Sequence, residues 1–398
     1  METISRRRLL EGAAVGAGGL AALTVAAQAA TSADTGPQPR AVTTASPAKA
    51  SGSGAEWANF RFPLGSQKSK LYEGGSAQEA TVAEFPISEG IAGVSMRLKP
   101  GGLRELHWHT NAAEWAYIIS GHCRTTVFDP NGSSEILDFG PGDIWYFPRG
   151  YGHSLLGIGP EECHFILSFD NGHFSEFATF SITDWIGHTP PEMLAKSFQV
   201  PASTFKDFPK REVYIAQGAV PGPLPADPVA GSEHVSPLTH RFHLMAQKAT
   251  LSFPGGSFRL ASVKEFPIST TMAGATLQLD PGAMRELHWH PNANEWQYYV
   301  KGRARMTVFG SSGRASVVEF GPGDVGYVPQ GFGHSIENIG NEECQAILTF
   351  DNGNYQEISI SDWVAATPRQ ILATNFGVPE ATFANFPRRD LFIAGGGG

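Results

Sequence analysis

The chain repeats itself, and this repeat limits the possible folds more than any other feature of the sequence. The string His107-Trp108-His109-Thr110-Asn111-Ala112-Ala113-Glu114-Trp115 returns as His288-Trp289-His290-Pro291-Asn292-Ala293-Asn294-Glu295-Trp296. Residues outside this string also recur at the same separation, for example Asp143 with Asp324. A duplicated segment of domain size predicts two domains of the same fold in tandem.

The repeat also sets the predicted domain boundaries. The two copies occupy residues 56–210 and 237–398, so each has the usual size of one domain, about 150 residues. Residues 211–236 are rich in proline and are predicted to form the linker between the domains. Residues 30–55 are rich in alanine, serine, threonine and proline, which predicts a disordered lead segment.

Short strands and tight turns dominate the pattern within each copy. Apolar or alternating runs such as Trp115–Ile119, Thr125–Phe128 and Ile144–Phe147 are bounded by glycine, proline, asparagine and aspartate. Helix signals occur only near the end of each copy, at Thr189-Pro190-Pro191-Glu192 and Thr367-Pro368-Arg369-Gln370. We therefore predict an all-β fold, in which each domain is a closed barrel or double-sheet roll with a short helical tail.

The first 29 residues are predicted to be a twin-arginine signal peptide. Ser5-Arg6-Arg7-Arg8-Leu9-Leu10 precedes an apolar alanine- and glycine-rich stretch, and a small-residue cleavage site follows near Ala27-Gln28-Ala29. A membrane anchor is the alternative, but this stretch is short and glycine-rich for a bilayer span. We expect export by the twin-arginine route to the periplasm or the exterior, with no membrane contact in the mature form.

The net charge narrows the choice of partners. It is −9 at pH 7, and no basic run lies outside the N-terminus. Nucleic-acid binding requires a basic surface, so we expect no nucleic-acid partner.

Each copy carries a set of residues able to bind a metal ion. Alternate residues of a strand face the same side, so His107 and His109 should both point into the barrel, where Glu114 and His153 join them from later strands. Three neutral imidazoles and one carboxylate leave room for two further ligands on an octahedral ion, which suits Mn²⁺ or Fe²⁺ better than structural zinc. The second copy repeats the whole set as His288, His290, Glu295 and His334.

An arginine precedes each set by three residues. Arg104 and Arg285 lie on the same strands as the first histidines, where a guanidinium could pair with the free carboxylate of a small diacid bound to the metal. The alternative is a surface arginine paired with its neighbour, Glu105 or Glu286.

These residues carry a family resemblance that extends from about residue 56 to residue 388. The first cupin motif is matched by Gly101, His107, His109, Glu114 and Gly121, and the second by Gly142, Pro148, Gly150 and His153. The whole pattern, with Arg-Glu-Leu-His-Trp-His and Glu-Trp, resembles the bicupin oxalate decarboxylases. The resemblance implies two tandem cupin (jelly-roll) barrels, two Mn²⁺ per chain, dioxygen as redox co-catalyst, a homo-oligomer (trimer or hexamer), and contact of Arg104 with oxalate.

Three extra residues in the first copy interrupt the repeat between Asn171 and Trp185. This stretch resembles a mobile lid of the bacterial oxalate decarboxylases, whose sequence is Ser-Glu-Asn-Ser-Thr. Here Ser175, Glu176 and Thr179 match that lid, whereas Phe177 and Ala178 do not. The resemblance implies that Glu176 is the general acid and base. Without the resemblance, it would be interpreted as an exposed loop glutamate.

The sequence therefore predicts manganese-dependent conversion of oxalate to formate and carbon dioxide, mainly at the N-terminal site. The changed lid residues leave an oxalate oxidase, which produces carbon dioxide and hydrogen peroxide, as an alternative. A non-catalytic metal-binding bicupin, or a manganese or iron bicupin with dioxygenase or isomerase activity, would share the fold.

Overall fold

A computed structural model describes residues 57–174, 179–224, 236–388 and 391–396. The signal peptide predicted at residues 1–29, the lead segment at residues 30–55 and Glu176 lie outside the described residues. The described part is mostly β, and its strands pair antiparallel in four sheets that form two barrels. The prediction of an all-β fold with two tandem barrels and short helical tails is confirmed.

Strands of the first copy follow one another closely and are joined by turns. Within the described residues they are β1 (Arg61–Phe62), β2 (Lys70–Tyr72), β3 (Gly75–Ala80), β4 (Ala92–Leu98), β5 (Gly102–His109), β6 (Glu114–Ser120), β7 (Cys123–Phe128), β8 (Ser134–Phe139), β9 (Ile144–Phe147), β10 (Gly152–Gly157), β11 (Cys163–Phe169), β12 (Thr179–Ser181) and β13 (Ile215–Gln217).

The second copy repeats this order. Its described strands are β14 (Arg241–Phe242), β15 (Leu251–Phe253), β16 (Gly256–Ala261), β17 (Ala273–Leu279), β18 (Met284–Trp289), β19 (Glu295–Lys301), β20 (Ala304–Phe309), β21 (Ala315–Phe320), β22 (Val325–Val328), β23 (Gly333–Asn338), β24 (Cys344–Phe350), β25 (Ile358–Ser359) and β26 (Ile393–Ala394).

Each barrel consists of two antiparallel sheets. In the N-terminal barrel the strand orders are β14-β9-β6-β11-β4-β3-β2 and β12-β5-β10-β7-β8, with β13 also paired to β5. In the C-terminal barrel they are β1-β22-β19-β24-β17-β16-β15 and β21-β20-β23-β18-β25, with β26 paired to β18. Strand β13 falls within the predicted linker, so the first part of that segment completes the N-terminal barrel.

The two barrels exchange their first strands. Strand β1 pairs with β22 of the C-terminal barrel, and β14 pairs with β9 of the N-terminal barrel. Phe60, just before β1, is fully buried in the core of the C-terminal barrel. Each barrel is therefore completed by a strand from the other copy.

An apolar cluster at the junction of the two barrels follows the symmetry of the repeat. The Trp115 ring packs on Gly274 and the Trp296 ring on Gly93, and a Cβ at either glycine would come within 2.1 Å of the indole. Only glycine allows this approach. Between the two pairs, the Thr349 hydroxyl donates to Ser168 Oγ at 3.1 Å, and these two residues are themselves repeat partners.

The helical tails pack outside the barrels. They are α1 (Ile182–His188) and α2 (Pro191–Phe198) in the first copy, and α3 (Ile360–Ala366) and α4 (Arg369–Phe376) in the second. The predicted proline-led helix is α2, whose N-cap is Pro190. The Thr189 hydroxyl donates to the Trp185 carbonyl at 2.7 Å and does not cap this helix. In the described part of the chain, no helix has the length and apolar character needed to cross a bilayer.

Candidate metal centres and active site

A β-bulge determines which side chains of β5 face the interior. His153 lies opposite His107 and Leu155 lies opposite Arg104, so β5 has one more residue than β10 between these pairs. This extra residue reverses the alternation, and Arg104, His107 and His109 are all buried. Strand β18 has the same bulge between Arg285 and His288.

The N-terminal quartet converges in the barrel interior. One potential ligand atom from each of His107, His109, Glu114 and His153 lies within 4.8 Å of the others, and all four residues are buried. Glu114 Oε2 is 3.1 Å from His109 Nε2 and 3.3 Å from His153 Nε2. The other carboxylate oxygen accepts the indole N–H of Trp145 at 2.8 Å. The geometry suits four ligands around one ion.

Backbone carbonyls orient two of these imidazoles. Nδ1–H of His107 donates to the Glu105 carbonyl at 2.6 Å, and that of His153 donates to the Tyr151 carbonyl at 2.9 Å. A carbonyl only accepts, so the proton lies on Nδ1 and the Nε2 lone pair faces the centre. His109 Nδ1 is 3.2 Å from the Thr179 hydroxyl.

Burial and neighbouring charges shift the pKa values of the quartet in the direction that metal binding requires. Burial lowers the pKa of His109 to about 4, although Glu114 opposes this shift. Burial and the Arg104 guanidinium hold the pKa of His107 well below its usual range. Burial would raise the pKa of the Glu114 carboxyl, but His153 and His109 hold it well below its usual value. Neutral imidazoles beside an ionised carboxylate form a metal-binding donor set.

The C-terminal quartet is built in the same way. His288, His290, Glu295 and His334 are buried, with potential ligand atoms within 4.8 Å of one another. Glu295 Oε2 is 2.8 Å from His290 Nε2 and 3.0 Å from His334 Nε2. Its other oxygen accepts the side-chain amide of Gln297 at 2.8 Å, where the N-terminal site uses an indole. The structure thus brings together both predicted quartets.

Arg104 lies buried beside the N-terminal quartet. Its guanidinium carbon is 3.9 Å from the centre of the Tyr214 ring, and Nη1 donates to the Tyr214 carbonyl at 3.3 Å. Glu105 Oε1 is 3.9 Å away, but that oxygen already accepts the backbone N–H groups of Val213 and Tyr214. Arg104 therefore has no carboxylate within hydrogen-bond distance among the described residues.

Arg285 has a different environment. Its guanidinium carbon lies 3.6 Å from the centre of the Phe392 ring, and Nη1 donates to the Phe392 carbonyl at 3.1 Å. Nη2 forms an ion pair with Glu357, and the Tyr355 hydroxyl donates to the same carboxylate oxygen at 2.6 Å. The C-terminal arginine is thus already neutralised by a carboxylate.

The strand pairing narrows the position of the insertion. Thr179 on β12 lies opposite His109, and Ile358 on β25 lies opposite Trp289, which is the residue before the equivalent histidine. Thr179 therefore corresponds to the residue before Ile358, and the two copies align again from this point. The extra residues therefore fall within 175–178, the segment that contains Glu176. The flanking Phe174 ring lies 4.9 Å from the His109 ring and stacks on Phe169 at 3.7 Å.

A small cavity adjoins the N-terminal quartet. Its volume is about 10 Å³, and its wall includes Arg104, His107, Phe174 and Tyr214. This space holds about one water molecule. Phe174 is the wall residue next to the insertion.

Sequence reasoning missed several residues that shape these sites. Tyr214 and Phe392 hold the two arginines, but Tyr214 lies beyond the first copy and Phe392 lies beyond residue 388, where the family resemblance ends. The paired strings Arg211-Glu212-Val213-Tyr214 and Arg389-Asp390-Leu391-Phe392 were the signal that could have extended it. Glu357 was also missed, because its acidic character has no counterpart in the first copy.

Comparison with known proteins gives a consistent result. A family model described as cupin matches residues 64–206 and 242–382. Oxalate decarboxylase OxdC of Bacillus subtilis (strain 168) is 46% identical over 310 residues, which is 78% of this chain and 80% of the relative. A probable oxalate decarboxylase of Arthroderma benhamiae is 35% identical over 340 residues, covering 84% and 83% of the two chains.

Solved structures agree with these sequence matches. The structure of oxalate decarboxylase from Bacillus subtilis at pH 4.6 superposes with a TM-score of 0.81 at 42% identity, covering 86% of this chain and 89% of that one. A second structure, from work on the Mn(II) centres of the same enzyme, gives a TM-score of 0.81 at 41% identity and covers 86% and 90%.

Proposed function

Because the chain belongs to the bicupin oxalate decarboxylase family, we propose that it converts oxalate to formate and carbon dioxide at its N-terminal centre. The observation that carries this choice of site is Arg104, a buried guanidinium beside the quartet with no carboxylate within hydrogen-bond distance among the described residues. Its counterpart Arg285 is already paired with Glu357.

Mn²⁺ is the metal that we propose for both centres. Three imidazoles and a carboxylate leave two positions open on an octahedral ion, and the Mn(II) centres of the Bacillus subtilis relative support this choice. The buried Nε2 atoms of His153 and His290 lie 3.3 and 2.8 Å from the carboxylates of Glu114 and Glu295 without donating a hydrogen bond to them, as expected of metal ligands. When bound, Mn²⁺ would supply Lewis acidity, a template and electron relay, with dioxygen as the redox co-catalyst.

Arg104 orients the substrate in this proposal. Its guanidinium can form a charge-assisted pair with the oxalate carboxylate that does not bind the metal. The Tyr214 ring and carbonyl hold the guanidinium in place, so little side-chain freedom is lost on binding. The buried apolar wall around Leu167 and Phe169 keeps bulk water away.

Glu176 moves the proton. In the proposed reaction it removes the proton of monoprotonated oxalate, and after carbon dioxide leaves, it returns a proton to the remaining carbon to give formate. Support comes from the residues on either side of its segment, because Phe174 packs against His109 and Thr179 contacts His109 Nδ1. Both ends of the segment are thus anchored beside the N-terminal quartet.

The product mixture tests this function. We expect the manganese-loaded protein to convert oxalate at acidic pH into formate with little hydrogen peroxide. Peroxide without formate would make the protein an oxalate oxidase, the alternative that Phe177 and Ala178 leave open by removing polar groups from the lid. If neither product forms, the protein would be a metal-binding bicupin without oxalate chemistry, or one with another activity.

We also propose that the protein assembles as a homo-oligomer, a trimer or a hexamer. Trp185 on α1 and Trp363 on α3 are 66% and 62% exposed, which is unusual for tryptophan on a free surface. Each packs edge-on against the outward tryptophan of the neighbouring strand, Trp108 or Trp289. Sedimentation of the mature protein as a monomer would contradict this assembly.

A further inference from the structure

We propose that Glu357 prevents the C-terminal centre from binding oxalate, because it occupies the arginine that the second carboxylate of the substrate would need. This inference rests on the proposed function, since it concerns the same substrate at the twin of the proposed site. It assigns the difference between the two centres to one side chain of the C-terminal barrel.

The strand register identifies the counterpart of Glu357. Phe180 lies opposite Trp108, and Thr179 precedes it opposite His109. In the C-terminal barrel Ile358 lies opposite the equivalent Trp289, so the residue before it, Glu357, occupies the position of Thr179. One copy thus places a hydroxyl, and the other a carboxylate, at the same position beside the second histidine of the quartet.

Glu357 is held firmly on Arg285. The side chains of Arg285 and Glu357 are only 3% and 17% exposed, so water screens their ion pair weakly. The Tyr355 hydroxyl donates to Glu357 at 2.6 Å, while Arg285 Nη1 is engaged by the Phe392 carbonyl at 3.1 Å. An incoming carboxylate would have to displace a buried, hydrogen-bonded partner.

The neighbouring glutamates do not account for the difference, because both copies have them in the same role. Glu105 accepts the backbone N–H groups of Val213 and Tyr214 at 3.1 and 2.7 Å. Glu286 accepts those of Leu391 and Phe392 at 3.1 and 2.6 Å. Among the described residues around the two arginines, Glu357 is the difference that adds a charge.

The extra carboxylate changes the charge that an anion meets. With a divalent cation bound, each centre would combine it with one ligand carboxylate and one arginine, and among the described residues the C-terminal arginine is paired with a further buried carboxylate, that of Glu357. In a buried site this charge both repels an anionic substrate and neutralises the guanidinium. The N-terminal centre should therefore bind oxalate first, and the C-terminal centre should stay free of it.

Calorimetric titration of oxalate into the full manganese-loaded protein, with dioxygen excluded, tests the proposal. We expect one oxalate per chain for the wild type and two for Glu357→Thr, which copies the N-terminal residue. The reciprocal Thr179→Glu variant should lose the single oxalate. Manganese content is measured on each sample, so that only protein with two ions per chain is compared.

Removing the partner of a buried arginine can destabilise a protein, so a second variant is needed. Glu357→Gln keeps the size and hydrogen bonds of the side chain and should also bind two oxalates. In the wild-type background, Arg104→Ala should reduce binding from one oxalate to none, a result that does not depend on any change at position 357.

The outcomes separate this inference from the proposed function. Two oxalates on the wild type, one on Arg104→Ala, or one on a Glu357 variant that retains both ions would each overturn the role of Glu357. No oxalate on the wild type or any variant would overturn the proposed function and this inference with it. No oxalate on the wild type but one on Glu357→Thr would support Glu357 and contradict the proposed N-terminal site.

Discussion

Glu114 connects most of the N-terminal quartet through a single carboxylate. One oxygen contacts the Nε2 atoms of His109 and His153, and the other accepts the Trp145 indole N–H. The carboxylate therefore lies between two of the imidazoles, and Glu295 has the same position in the second copy. Metal affinity at each centre should therefore depend on this carboxylate more than on any single imidazole contact.

Neutralising one carboxylate should empty one centre only. We expect Glu114→Gln to lower the metal content from about two ions per chain to about one, because an amide oxygen is a poorer ligand than a carboxylate. Glu295→Gln is the matched control and should lose the other ion. Elemental analysis of purified protein measures both, and two ions retained in Glu114→Gln would contradict the assignment.

The metal-free protein should lose stability as the pH falls from about 6.5 toward 4. His109 has a pKa of about 4 in the folded state and an ordinary value of 6.5 when unfolded. Between these values the unfolded chain binds more protons than the folded one, so acid favours unfolding. Thermal unfolding of metal-free protein should therefore show a lower Tm at pH 5 than at pH 7.

The His109→Gln variant is the control for this pH effect. It removes one buried imidazole and should show a smaller fall in Tm over the same pH range. Equal Tm values at pH 5 and pH 7 for the metal-free wild type would show that burial does not keep the quartet neutral.

The exchange of strands between the two barrels makes even a very short strand important for stability. Strand β1 is only two residues long, yet it adds to a sheet of the other barrel, and Phe60 before it enters that barrel's core. Phe60→Ala should lower the free energy of unfolding by about 3–5 kcal/mol, as expected for a large buried aromatic. Denaturant titration measures this loss.

Phe128→Ala is the control for the Phe60 experiment, since Phe128 is 57% exposed at the end of β7. It should change the free energy of unfolding by much less. Similar effects of the two substitutions would contradict the strand exchange.

The sequence predicted the strands and ligands well because both depend on local patterns. His107-x-His109 marks one face of a strand wherever that strand lies. The exchange of β1 and β14 was not predictable, because two-residue strands carry almost no periodic signal and their partners lie far away in the chain. Strict alternation from His107 would put Arg104 on the opposite face of β5, and the bulge that brings both side chains to the interior leaves no mark in the residue types.

At the scale of the whole molecule, the described structure contains two nearly identical metal centres whose surroundings differ in charge. The quartets, the bulges and the aromatic supports of the arginines all repeat. The Glu357 ion pair does not, and neither does the insertion between Phe174 and Thr179. Duplication has thus preserved the metal sites, while the groups that would meet a substrate have diverged.

The predicted export would involve the whole chain, since twin-arginine substrates cross the membrane folded. We expect the combined Arg6→Lys and Arg7→Lys substitution to leave the precursor in the cytoplasm with its metal sites filled. Cell fractionation and the size of the processed chain measure this outcome, with Arg8→Lys as the control outside the arginine pair. Normal export of the double variant would contradict the predicted signal.

The most direct test of the central claim is formate production by Glu176→Ala, measured together with its manganese content. If Glu176 transfers the proton at the N-terminal centre, this variant should keep two ions per chain and lose formate production by at least about 100-fold, the usual contribution of a general acid or base. Undiminished formate from fully loaded Glu176→Ala protein would contradict the account.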